Sequence, residues 1–83
     1  MFKVTITPQA TKQFKHLPSS EQTKIKKKLV SLEKNPLAGK KLSGELSQLR
    51  SLKVWPYRII YHIDQNKQSI FITSILHRQG AYE

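Results

Sequence analysis

The sequence predicts an α+β fold: an N-terminal strand, a two-helix hairpin, then a three-stranded antiparallel meander, forming one sheet with the helices on one face. Three observations carry that expectation. Phe2-Lys3-Val4-Thr5-Ile6 alternates apolar and polar residues, the period of a short half-buried strand. Between Pro8 and Lys34 the apolar residues recur instead at helical spacing, interrupted once by proline. From Leu49 onward three β-patterned runs follow one another with only short turns between them, so the strands are expected to pair as antiparallel neighbours.

Each element has a local reason. Thr7 suits an N-cap and Pro8 the first helical turn, so a helix is expected from Pro8 to about His16, with Ala10, Phe14 and Leu17 facing the core. Leu17-Pro18-Ser19 ends it, because the residue before a proline is pushed out of the helical region. Ser19 and Gln22 have the spacing of a capping box for a second helix reaching Glu33 or Lys34, with Ile25, Leu29 and Leu32 as its apolar stripe. Its other face carries Lys24, Lys26, Lys27 and Lys28. The run Asn35 to Gly44 is rich in turn residues and is expected to be a loop. The strands are then expected over Leu49–Val54, Tyr57–Ile63 and Ser69–His77, with Trp55-Pro56 and Asp64-Gln65-Asn66-Lys67 as turns. Pro56 belongs in a turn because it has no N–H to give to a ladder.

At 83 residues the chain is expected to form one domain, residues 1–83, with a small core drawn from the 37% of hydrophobic residues. There are no cysteines, so disulfides and thiolate metal sites are excluded, and the three histidines are too scattered for a metal site. No run has the length and apolarity of a membrane span, and no signal peptide is visible; a cytoplasmic protein without membrane association is expected. Fifteen Lys and Arg against five Asp and Glu give a net charge of +10, far more than solubility asks of a small domain. The expected partner is a polyanion, nucleic acid first, with an acidic protein as the other answer to the same charge.

Within a strand over Tyr57–Ile63, Tyr57, Ile59, Tyr61 and Ile63 share one face, and Arg58, Ile60 and His62 the other. An arginine flanked by apolar neighbours on a strand needs a partner or a wet cleft. A structural ion pair with Glu45 or Glu83 answers that need as well as a ligand does. On the preceding strand Lys53 is expected near Arg58, while Ser51 and Lys53 alternate with Arg50, Leu52 and Val54. The chain ends in Leu76-His77-Arg78-Gln79-Gly80-Ala81-Tyr82-Glu83, which adds a histidine, an arginine and a tyrosine as the last strand runs out. RNA cleavage requires little more than a base or a field that frees the ribose 2′-OH, cations around the phosphate, and a proton for the leaving oxygen. Arg58 and Arg78 suit bidentate phosphate contacts. Tyr82 would need nearby cations to lower its pKa, since its phenolate at neutral pH otherwise costs about 4 kcal/mol. His77 has an intrinsic pKa suited to general acid or base work. No Gly-rich phosphate loop, nucleophile elbow or metal motif is present, and no cofactor is expected.

These residues resemble the RelE/ParE superfamily of small toxins from toxin–antitoxin pairs. The resemblance spans nearly the whole chain and rests on Lys41-Leu42-Ser43-Gly44, Leu49-Arg50-Ser51-Leu52-Lys53-Val54, Tyr57-Arg58-Ile59-Ile60-Tyr61, Ile75-Leu76-His77-Arg78 and Tyr82. It implies a ribosome-dependent, metal-independent mRNA endonuclease in which the 2′-OH attacks the adjacent phosphate. On that reading Arg58 stabilises the transition state, Arg78 is the second phosphate-binding arginine and Tyr82 the C-terminal tyrosine of the site, with Lys53 and His77 in support. Arg50, Lys40, Lys41, Lys26 and Lys27 are the expected RNA contacts. The implied partners are an acidic antitoxin, the ribosome and mRNA, and operator DNA only as the toxin–antitoxin complex. Two features depart from the family pattern: Ser51 stands where a first basic residue is common, and Trp55-Pro56 replaces a Gly-containing turn. ParE-like relatives share the fold, inhibit DNA gyrase and lack the catalytic residues, so a non-enzymatic gyrase inhibitor is the alternative, followed by a plain nucleic-acid-binding module.

Overall fold

The computed structural model describes residues 2–42, 44 and 48–78. Strand β1 (Lys3–Ile6) leads into helix α1 (Pro8–Lys15) and helix α2 (Ser19–Lys34). A 3-10 turn (Pro36–Ala38) and the two-residue strand β2 (Lys40–Lys41) follow, then β3 (Arg50–Val54), β4 (Tyr57–Asp64) and β5 (Ser69–His77). They form one five-stranded sheet in the order β1-β5-β4-β3-β2. The expected α+β fold and antiparallel meander are therefore present. The N-terminal strand joins the far side of the meander, parallel to β5, with Val4 opposite Ile70.

The core follows from the two periodicities. Ala10 of α1 and Ile25, Leu29 and Leu32 of α2 pack against Val54, Ile59, Tyr61, Ile70, Ile72 and Ile75, all at least nine-tenths buried. The strand residues in that set alternate along β3, β4 and β5 and so define the helix-bearing face. Their neighbours Ser51, Lys53, Arg58, Ile60 and His62 belong to the opposite, helix-free face. A bulge lies opposite Ile60 and Tyr61: the partner of Ile60 is Ser74 and that of Tyr61 is Ile72, leaving Thr73 as the extra residue. The Thr73 hydroxyl donates to the Ile60 carbonyl at 3.1 Å.

Thr7 caps α1 as expected, its hydroxyl oxygen accepting from the Ala10 N–H at 3.3 Å, and it also donates to the Ile72 carbonyl at 2.8 Å. The cap thereby ties the helix to β5. The capping box expected at Ser19 and Gln22 does not form. Pro18 occupies the cap position without a side-chain bond, and Ser19 is already helical. The Gln22 side chain instead donates to the Phe14 carbonyl at 3.1 Å, closing the end of α1. Helix α2 crosses the sheet: Lys24 near its start donates to the Trp55 carbonyl at 3.1 Å, and the Glu33 carbonyl near its end accepts from the Phe2 N–H at 3.2 Å.

The stretch expected to be a loop after Asn35 is ordered by tertiary contacts. The buried Tyr61 hydroxyl donates to the Pro36 carbonyl and accepts from the Gly39 N–H, both at 2.8 Å. Arg50 Nη1 donates to the Gly39 carbonyl at 2.8 Å. These bonds lead the chain into β2, where Lys40 pairs with Ser51 and Lys41 with Arg50. Burial raises the pKa of Tyr61, against smaller lowering effects from the Gly39 N–H and the Arg50 charge. The fold thus holds Tyr61 neutral, and the stability this contributes is complete below the unfolded-state pKa near 10. It is lost as pH rises past that value toward the higher folded-state pKa. Tyr61→Phe is expected to cost about 1–3 kcal/mol at pH 7, because the Gly39 N–H is left buried without its acceptor. The same variant is expected to lose less stability than the parent between pH 9 and 11; urea melts across that range check both points.

Candidate functional site

Lys53 and Arg58 are direct cross-strand partners on β3 and β4, flanking the tight turn at Trp55 and Pro56, whose peptide bond is cis. Both belong to the helix-free face, Lys53 exposed and Arg58 half-buried. On its other side Arg58 pairs with Leu76 of β5. One row further along the same face lie Lys40, Ser51, Ile60 and Ser74. The register thus sets two cations side by side across the strands, an arrangement that local positive charge makes attractive to an anion.

Arg78 joins this end of the sheet by a different route. Its N–H donates to the Pro56 carbonyl at 2.7 Å, which brings the residue beyond β5 back to the β3–β4 turn. Its guanidinium carbon lies over the Trp55 ring, 4.8 Å from the centroid. Trp55 itself is 60% exposed. Lys24 reaches the same turn through its bond to the Trp55 carbonyl, while also pairing with Glu21 at 2.7 Å. Four cations, Lys24, Lys53, Arg58 and Arg78, thus gather around one turn. Such a cluster can hold adjacent phosphates of a polyanion, the two arginines in bidentate fashion.

The other residues singled out from the sequence are placed elsewhere or lie outside the description. His77 is the partner of Tyr57 on the helix-bearing face and meets its ring edge-on at 5.4 Å, beside a groove that Lys12, His16 and Leu17 also line. The sheet therefore separates it from Lys53 and Arg58. Arg50 also belongs to the helix-bearing face, where it holds the Gly39 carbonyl. Lys26 lies over the Phe14 ring at 5.9 Å, and Lys27 is exposed on α2. Lys41 pairs with Arg50 at the sheet edge. Tyr82, Glu45 and Glu83 lie outside the described residues. Sequence reasoning passed over Trp55, treating it only as part of a turn; its signal was an aromatic residue lodged between Lys53 and Arg58. It also missed the role of Lys24, because a contact across 31 residues leaves no local pattern. Among the described residues there is no cluster of metal-ligating side chains, and no helix is long and apolar enough to cross a membrane.

The chain matches the family model of the ParE toxin of type II toxin–antitoxin systems over residues 4–82. It belongs to the ParE toxin family. The ParE toxins share the RelE/ParE superfamily with the solved structures that this fold resembles. A chain of the RelBE2 toxin–antitoxin complex from Mycobacterium tuberculosis is 28% identical, with a TM-score of 0.87, covering 93% of this chain and 98% of that one. The isolated E. coli RelE toxin is 24% identical with a TM-score of 0.81, covering 100% and 88%. The YoeB–YefM complex from Staphylococcus aureus, at 23% identity and a TM-score of 0.76, covers 93% and 97% and shows the same fold. A comparison with curated proteins finds no match.

Proposed function

We propose that this ParE-family toxin is a ribosome-dependent mRNA endonuclease. The observation that supports the reading is the cation cluster at one turn: Lys53 opposite Arg58, with Arg78 brought to the same end through Pro56 and Trp55. In the reaction the 2′-oxygen forms a bond to the adjacent phosphorus as its proton leaves to a base. The bond to the 5′-oxygen breaks, and that oxygen takes up a proton. Charge builds on the non-bridging oxygens, which is where cations fixed on rigid strands contribute most. Arg58 faces that charge, Arg78 and Lys53 hold the flanking phosphates, and Tyr82 is the expected proton-transfer group from the tail. His77 is the outlying member of the expected set, because it and the Tyr57 ring that it meets edge-on both belong to the helix-bearing face. An acidic antitoxin is the expected inhibitor, covering the cluster, and operator DNA is bound by that complex. The wider basic surface, including Lys26, Lys27, Lys40 and Lys41, is the expected contact with ribosomal RNA.

The test is to add the protein to programmed ribosomes and map new 5′ ends in the mRNA. Cutting by the parent that is lost in Arg78→Ala and weakened in Tyr82→Phe is the expected result. Uncut mRNA with folded parent protein, or equal cutting by both variants, would remove the reading. The match to ParE toxins favours a second one, inhibition of DNA gyrase without catalysis. Unimpaired gyrase supercoiling in the presence of excess protein would discard it.

A further inference from the structure

The exposed indole at the β3–β4 turn has no role in the reading above. Arg78 lies over one face of the Trp55 ring at 4.8 Å, yet the residue is 60% exposed, so much of the indole stays open to water. A tryptophan left this open gains little for folding. The ring is also surrounded by phosphate-binding chemistry: Lys53 and Arg58 on the flanking strands, Arg78 against its covered face, and Lys24 on its own carbonyl. Aromatic faces set among cations are how single-stranded nucleic acid is held irrespective of sequence, with bases on the rings and phosphates on the cations. An arginine stacked on one face adds to this, since it fixes the ring and brings its charge next to the backbone of the stacked nucleotide.

We propose that Trp55 is a nucleobase platform, its open face stacking one base of a single-stranded RNA whose adjacent phosphates are held by Arg78 and Lys53. The inference rests on the ribonuclease reading for the identity of the strand. Its test does not require cleavage. Trp55 is the single tryptophan of the chain, so intrinsic fluorescence reports on this ring alone.

The probe is a 2′-O-methylated hexauridylate, which 2′-attack cannot cut, and the control is a linear polyphosphate with no bases. Saturable quenching by the oligonucleotide, and none by polyphosphate at concentrations where it binds, is the expected result. In anisotropy measurements with a labelled oligonucleotide, Trp55→Ala is expected to weaken binding about tenfold or more, and Trp55→Phe to keep most of the affinity. The exposed position makes both variants safe for folding, which circular dichroism checks. Binding without quenching, or unchanged affinity in Trp55→Ala, overturns the proposal. An equal loss of affinity for oligonucleotide and polyphosphate overturns it too, because it assigns Trp55 to positioning Arg78 alone. Base stacking with uncut mRNA on ribosomes would leave the platform standing and remove the ribonuclease reading; cut mRNA without base stacking would do the reverse.

Discussion

Arg58→Ala is expected to lower the rate of mRNA cutting on programmed ribosomes by roughly 10²–10³-fold, the usual cost of removing one group aimed at developing transition-state charge. The position explains the size. Arg58 sits in the middle of three paired strands, between Lys53 and Leu76, so its guanidinium is delivered by a backbone that cannot readjust. Lys53 is beside it but cannot replace it, because an ammonium lacks the planar fork that meets two phosphate oxygens at once. Arg58→Lys is therefore expected to recover part of the loss, less than a tenth of the parent rate. Ribosome binding, measured by pelleting, should fall far less than the cutting rate, since an interaction that strengthens only in the transition state leaves ground-state affinity nearly intact. A variant that binds and cuts like the parent would exclude Arg58 from the chemistry. One that loses binding and cutting in equal proportion would make it a docking residue.

Gly39→Ala is the corresponding expectation for the fold. A methyl group there would meet Tyr61 at 2.5 Å from the hydroxyl oxygen, 2.7 Å from Cε1 and 2.9 Å from Cζ. The backbone is not at fault, because Gly39 has φ −77° and ψ 150°, which alanine adopts freely. The difficulty is that Tyr61 cannot retreat: its ring is fully buried and its hydroxyl is held by Pro36 and Gly39. Overpacking together with loss of these two bonds is expected to cost about 3 kcal/mol. That corresponds to a fall in Tm on the order of 15 °C for a domain of this size. Combining it with Tyr61→Phe removes the closest clash but leaves those with the ring carbons. The double variant should then be less destabilised than the sum of the singles, as coupled neighbours are. Thermal melts of the four proteins decide it, and a Gly39→Ala variant melting like its parent would show that the 36–39 segment moves aside.

Where local pattern and tertiary structure agree, the fold was legible in the sequence. Thr7 and Pro8 begin α1, Pro18 separates the two helices, and β5 spans Ser69–His77, as its run of β-branched and aromatic residues indicates. The misses share a cause. Strand β2 has two residues and no pattern of its own; it exists because Tyr61, 20 or more residues away, fastens Pro36 and Gly39. Gln22 has the spacing of a capping partner for Ser19, but its side chain instead adds a bond to the Phe14 carbonyl at the end of α1, a tertiary contact that the spacing does not encode. At the site, strand alternation alone put Arg58 and Lys53 on one face, and the register made them partners. It could also have set His77 apart, since the residue shares its parity with Ile75 rather than with Leu76. What spacing cannot give is the return of Arg78 to Trp55, a contact made across strands by a backbone bond to Pro56.

The order of strands in the sheet bears on when such a toxin first becomes dangerous to the cell that makes it. Strand β5 is the last of the described strands to be synthesised, yet it lies inside the sheet, between β1 and β4. Until it emerges, β1 has no partner, Thr7 cannot reach Ile72, and the helices have only part of the surface they cover in the finished fold. The β3–β4 hairpin can pair locally, but the β1–β5 pairing that completes the sheet spans most of the chain, a long and slow loop to close. The cluster around Trp55 is completed only after translation has passed Arg78, so the last residue of the described chain to be made is also the one that closes the candidate site.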